Sequence, residues 1–187
     1  MIKRLLDLII SMSAAVFFAV PFILILAGVR LSSPGPAIYW SRRAGRQGQF
    51  FIMPKFRSMR IDTPEVATDS LGDAKTYITP FGSFLRRTSL DELPQIYSVL
   101  RGDMSIVGPR PALHNQHELI AKRAELGIDQ LRPGVTGWAQ INGRDEIALQ
   151  NKLRFDQEYL ARQSLFFDLK IILLTVVAVV KSRGVSH

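Results

Sequence analysis

Apolar residues gather at the two ends of the chain, and the middle alternates polar and apolar positions over short distances. From Leu5 to Val29 the only charged side chain is Asp7. Such a run, read as a helix, is long enough for a bilayer core of about 30 Å. It is too long for the apolar part of a cleaved signal peptide, and no small-x-small site closes it. Pro21 lies inside the run, where it removes a helical hydrogen bond and predicts a kink. Lys3 and Arg4 precede the run, and Arg30, Arg42, Arg43 and Arg46 follow it. Positive flanks prefer the cytoplasmic side, so a straight span would strand one of them. The pattern therefore predicts a re-entrant hairpin over residues 1–31, with a plain span and a buried core helix as alternatives. Near the other end, Ile171 to Val180 is apolar but too short to span. Asp168 and Lys170 before it, with Lys181 and Arg183 after it, predict an interfacial helix or one packed on the domain.

Between these ends, residues 32–187 predict one domain. Ser33-Pro34-Gly35-Pro36 is a turn that ends the first segment. Ala37 to Ser41 and Gln49 to Ile52 read as a β-hairpin around a glycine-containing turn. Asp62 to Lys75 reads as a loop. Thr79-Pro80 has the signature of a helix start, Thr as N-cap and Pro in the first turn. His117 to Leu126 and Asp145 to Arg162 read as helices, and the glycine- and proline-rich stretch Arg132 to Arg144 as a structured loop. The fold class is α+β and mainly helical, with interfacial helices around a compact cytoplasmic domain.

Charge adds a direction. In 187 residues there are 24 Lys plus Arg against 16 Asp plus Glu, a net charge of +8. That excess favours an anionic partner: nucleic acid, a phosphorylated ligand or lipid headgroups. Cysteine is absent, which excludes disulfides and thiolate metal sites.

Asp91 and Glu92 stand together among arginines. Ser89-Leu90-Asp91-Glu92 fits a capping box, with Glu92 reaching back to Ser89. A helix starting at Asp91 instead would place Pro94 in the first turn, where its missing donor costs least. Either frame puts Asp91 at a helix N-terminus, where amides and nearby cations favour an ionised carboxylate. A fixed, ionised carboxylate suits covalent catalysis, and the same amides and cations suit phosphate.

SPGP, KFRSM, SLDELPQ, GDMSIVGPRP and RPGVTGWAQINGR occur in this order behind the N-terminal segment. Together they resemble the bacterial sugar transferases, small monotopic phosphoglycosyl transferases that start glycan assembly on a polyprenol phosphate. The resemblance runs from about Lys3 to the C-terminus. It implies transfer of a sugar-1-phosphate from a UDP-sugar to a lipid such as undecaprenyl phosphate, with release of UMP, at the cytoplasmic face of the bacterial inner membrane. By the same analogy Asp91 is the nucleophile that forms a phosphosugar intermediate. Glu92 then positions Mg²⁺ with Asp91 or handles protons, and both roles stay open. Lys55, Arg86, Arg110 and Arg144 are the candidate phosphate ligands, each with a solvated surface cation as its alternative. Asp156 falls at an acidic position of the family, supporting the metal or a phosphate-binding arginine, or forming a surface ion pair. Pro133, Gly134 and Thr136 are expected to shape a substrate loop, and Trp138 to stack on a base, sit at the membrane or pack in the core.

The sequence also departs from the family. Val20 precedes Pro21 where serine is frequent, and ALHNQHEL after GPRP is less typical. His114 and His117 have helical spacing, but with no third ligand indicated a zinc site is not expected. The rival reading is a membrane-anchored module whose basic face binds nucleic acid or acidic lipid. It accounts for charge and anchor but not for the Asp-Glu pair, and no nucleic-acid partner is expected. Too few apolar segments are present for a polytopic transferase, and no βαβ series suggests a soluble nucleotide-binding glycosyltransferase. The choice between monomer and homodimer is not encoded in any motif.

Overall fold

The computed structural model describes residues 2–64, 66, 74–143 and 148–180. The chain opens with a pair of helices, α1 (Ile2–Phe17) and α2 (Ala19–Ser32), bent by 63° at Phe18. Pro21 causes the break at a distance: its ring conflicts with the carbonyl four residues back, that of Phe17, and its nitrogen cannot donate. The helices have 16 and 14 residues. Neither is long and apolar enough to cross a membrane, although the bent pair together passes that test by length and composition.

The next elements are β1 (Ile38–Ala44) and β2 (Phe50–Phe56), then α3 (Pro80–Arg87), α4 (Ile96–Arg101) and β3 (Ser105–Val107). They are followed by α5 (His117–Glu125), β4 (Gly134–Thr136), α6 (Trp138–Ile141), α7 (Leu149–Arg162) and α8 (Leu165–Val180). As predicted, β1 and β2 form an antiparallel hairpin, in register from Ile38 opposite Phe56 to Ala44 opposite Phe50. Thr79 caps α3 as its sequence predicts, its hydroxyl accepting from the Gly82 amide at 2.9 Å. Most of the expected Asp62–Lys75 loop and the first residues of the Asp145–Arg162 helix lie outside the described residues.

Two expectations are corrected. The Arg132–Arg144 stretch is not simply a loop, because β4 pairs in parallel with β3, Ser105 opposite Gly134 and Val107 opposite Thr136. A three-residue strand rich in glycine carries no periodicity, so only the pairing defines it. The capping box does not form either. Ser89 has φ 56° and ψ 16° and its side chain caps nothing, while the Glu92 side chain is drawn elsewhere.

Several apolar clusters hold these parts together. Ile25 and Val29 of α2 pack with Ala37, Phe56 and Leu85. Phe51 and Met53 of β2 meet Val99 and Met104. Val107 and Tyr159 pack with Phe167 and Ile171 of α8. Helix α8 is two-faced: Phe167 and Ile171 are buried while Phe166, Leu169 and Leu173 are exposed. Helix α1 likewise turns Leu5, Ile9, Met12 and Val16 outward and buries Asp7 and Ser11. Trp138 packs against Phe167, ring centroids 5.0 Å apart, and donates to Glu158 at 2.7 Å.

The β3–β4 crossing tolerates no side chain. A Cβ on Gly134 would lie 2.1 Å from the Gly108 nitrogen, and one on Gly108 would lie 2.3 Å from the Arg132 carbonyl oxygen. Both neighbours are backbone and cannot move aside. Gly134→Ala is therefore expected to destabilise the protein by roughly 2–4 kcal/mol or more, read as a lower unfolding midpoint in detergent. An unchanged midpoint would show that the two segments do not approach this closely.

Candidate active site

Asp91 and Glu92 lie on a 3₁₀ turn, Leu90–Gln95, which leads directly into α4. The turn begins from the left-handed residue Ser89, so the chain reverses sharply out of α3. A non-glycine residue in this region costs on the order of 1 kcal/mol or more and persists only where surrounding contacts impose it. Here the reversal brings the acids against β2.

Lys55 of β2 donates to Glu92 Oε1 at 2.8 Å, and Arg110, just beyond β3, donates to the same oxygen at 3.1 Å. The Glu92 side chain is 18% exposed. Burial opposes its ionisation, but Lys55 and Arg110 outweigh that and hold the carboxyl well below the usual carboxylate range. Asp91 is different. It is 8% exposed, and no described residue donates a hydrogen bond to it. Burial raises its pKa, Glu92 adds to the rise, and Lys55, Arg86 and Arg110 oppose without cancelling it. The two adjacent acids thus differ: Glu92 pairs with the cations, and Asp91 lies beside them without a hydrogen bond from any described residue.

The structure therefore brings together Asp91, Glu92, Lys55, Arg86 and Arg110. Arg144 lies outside the described residues. Asp156, on α7, is 1% exposed and accepts from Arg123 at 2.7 and 3.0 Å. Arg123 also donates to the Arg110 carbonyl at 2.7 Å, so Asp156 meets the site through an arginine. Arg123 itself escaped the sequence reading, since a lone arginine in an amphipathic helix looks like a surface cation. Pro133, Gly134 and Thr136 do not line an open loop. They are buried, with Gly134 and Thr136 in the β3–β4 ladder and the Thr136 hydroxyl 2.7 Å from that of Thr175 on α8. Their part is to seat the Gly108–Arg110 segment.

Among the described residues no group of three or more His, Cys, Asp or Glu side chains gathers. A divalent ion here would need other ligands, and Mg²⁺ commonly takes one or two carboxylates with substrate phosphates and water. Asp91 and Glu92 Oε2 suit that donor set, because both hydrogen bonds to Glu92 end on Oε1.

The two acids respond oppositely to pH. Glu92, with a lowered folded pKa, adds stability above about pH 4.3 that is lost as pH falls through its folded value. Asp91, with a raised one, opposes folding as pH rises past about 3.9. Glu92→Gln removes the neighbouring negative charge that Lys55 and Arg110 otherwise offset, so the Asp91 titration should move to lower pH. Infrared titration of isotope-labelled aspartate reads this directly, and an unmoved or raised midpoint would contradict the charge assignment.

The chain matches the bacterial sugar transferase family over residues 1–182. It is 44% identical over 189 residues to a UDP-glucose:undecaprenyl-phosphate glucose-1-phosphate transferase of Xanthomonas campestris pv. campestris, a match covering 97% of this chain and 39% of that protein. A protein of the same name from Escherichia coli K12 is 39% identical over 183 residues, covering 94% of this chain and 39% of its own. The exopolysaccharide production protein ExoY of Rhizobium meliloti is 38% identical over 200 residues, covering 98% of this chain and 88% of that protein. The chain thus spans well under half of the first two relatives and most of the third. With the match running through every segment that forms the Asp91 site, this chain belongs to the bacterial sugar transferase family.

Proposed function

We propose that the protein transfers a sugar-1-phosphate from a UDP-sugar to undecaprenyl phosphate through a covalent intermediate on Asp91. The observation that carries this reading is the division between the two acids: Glu92 is held by Lys55 and Arg110, while among the described residues none donates a hydrogen bond to Asp91, which lies beside the same cations. Family membership and the names of the relatives agree with the substrates.

In the first step an Asp91 carboxylate oxygen attacks the β-phosphorus of the UDP-sugar. The new O–P bond forms as the bridging bond to the α-phosphate breaks, and UMP leaves with the electron pair. In the second step a phosphate oxygen of the lipid attacks the same phosphorus and the Asp91 carboxylate departs. Lys55, Arg86 and Arg110 face the negative charge of the diphosphate, arginine offering paired N–H donors and lysine a compact charge. Asp91 and Glu92 are the residues that would hold Mg²⁺, which when bound neutralises diphosphate charge against which a carboxylate must approach. The raised pKa of Asp91 is the cost of a buried nucleophile, and the cations limit it.

The lipid acceptor requires a membrane location. In our reading the bent pair α1–α2 enters the cytoplasmic leaflet of the bacterial inner membrane and returns, with the outward face of α8 at the interface. The exposed apolar side chains of these helices support it.

Native protein and Asp91→Asn should be compared for UMP release from a panel of UDP-sugars with undecaprenyl phosphate and Mg²⁺. The variant is expected to lose on the order of 10⁴-fold or more, and the native protein to gain the mass of a sugar phosphate when lipid is omitted. Equal release by both would remove Asp91 as nucleophile. The first step should fade as pH falls through a value above the range of an exposed aspartate, about 3.9. A profile falling only below that range would overturn the assignment of the limb to Asp91. Because the chain has no cysteine, Ile2→Cys and Gln49→Cys can be labelled singly in sealed vesicles. Labelling of both from the same side is expected for a re-entrant pair, and from opposite sides for a span.

A further inference from the structure

Helix α1 is apolar enough to be read as an anchor only, yet the charged side chains of its first two turns all engage the folded domain. Lys3 donates to the Val107 carbonyl at 3.1 Å and to Asp168 at 2.6 Å. Arg4 donates to the Val99 carbonyl at 2.7 Å and the Leu100 carbonyl at 3.0 Å. Asp7, 3% exposed, accepts from the Ser105 hydroxyl at 3.0 and 2.9 Å and from the Ile106 amide at 3.0 Å. Asp168 is in turn bonded to Tyr159 at 2.7 Å.

Apart from the Lys3–Asp168 pair, which reaches α8, these contacts fall on two segments. Val99 and Leu100 end α4, whose other end continues the turn bearing Asp91 and Glu92. Ser105, Ile106 and Val107 form β3, and Arg110 lies just beyond it. The far ends of both segments meet in the 3.1 Å contact between Arg110 and Glu92. Helix α4 has six residues, too few to be stable alone, and its last carbonyls lack partners within the helix. Arg4 brings a charged donor to two of them, Leu100 and Val99, the latter also accepting from the Gly102 amide at 3.1 Å.

Building on the Asp91 reading above, we infer that Lys3, Arg4 and Asp7 are positioning residues for the transfer reaction: the first two turns of α1 set the spacing between the Asp91 segment and the Arg110 segment. The anchor is then part of the site's scaffold, and its seating and the site's geometry are one equilibrium. Arg4 acts on the segment of the nucleophile, and Asp7 on the segment of a phosphate-binding cation. The two therefore have different kinetic signatures, which a general loss of fold would not produce.

The test uses the full chain in lipid nanodiscs, with UMP release as the readout and the unfolding midpoint measured alongside. Arg4→Ala should lower kcat by about tenfold to a hundredfold with little change in KM for the UDP-sugar, and Arg4→Lys should recover much of it. Asp7→Asn should instead raise KM several-fold. Full activity in both variants, or parallel losses with no split and no recovery by lysine, would overturn the inference. Amide exchange over Gln95–Leu100 gives a reading independent of activity: faster exchange in Arg4→Ala is expected, and unchanged exchange would overturn the coupling. If native protein released no UMP, the proposed reaction would fail while this exchange measurement still decided the positioning role.

Discussion

The arrangement of the site depends on where the negative charge of Glu92 is satisfied. A carboxylate taken out of water is costly unless cations replace its hydration, and here β2 supplies Lys55 and the segment after β3 supplies Arg110. The three partners come from positions far apart in the chain, so this one group ties the hairpin, the 3₁₀ turn and the Gly108–Arg110 segment to a common point. Because those cations are aimed at Glu92, its neighbour Asp91 lies buried within their field with no hydrogen bond from any described residue. The setting of one carboxylate is thus defined by what the other one does.

Behind this contact stand further layers of support. Arg123, neutralised by Asp156, holds the Arg110 carbonyl, fixing the backbone from which the Arg110 side chain extends. Gly108 and Gly134 let that backbone lie against β4 with no side chain between, and Thr136 pins β4 to α8 through Thr175. Removing Arg123 would leave Asp156 as an unpaired buried charge, a change that typically costs about 3–5 kcal/mol.

The same helices combine an apolar exterior with a polar inner side that keeps their charged groups satisfied. Along α1 the outward positions are Leu5, Ile9, Met12 and Val16, while Lys3, Arg4 and Asp7 face the domain. Helix α8 repeats the scheme with Asp168 inward and Phe166 outward. Polar groups in an apolar surrounding must find partners within the protein, and the Lys3–Asp168 contact at 2.6 Å joins the two ends of the chain for that reason.

Local features were legible in the amino-acid order because their causes are local. Pro21 acts on a carbonyl four residues away, Thr79 on an amide three residues on, and the β1–β2 hairpin shows its alternation and its turn within a few residues. The ordered motifs marked Asp91, Glu92, Lys55, Arg86 and Arg110 as one group. What the sequence could not assign was the pairing of charges. Glu92 fits a capping box as well as it fits Lys55, Arg123 looks like any surface arginine, and Lys3, Arg4 and Asp7 read as the flank of an anchor. The β3–β4 ladder and the burial of Pro133, Gly134 and Thr136 escaped for the same reason. The sequence determined which charges and turns the protein has. Only the crossing of distant segments decided which partner each charge meets, because periodicity and capping extend over a turn or two, whereas burial and ion pairing depend on contacts between residues tens of positions apart.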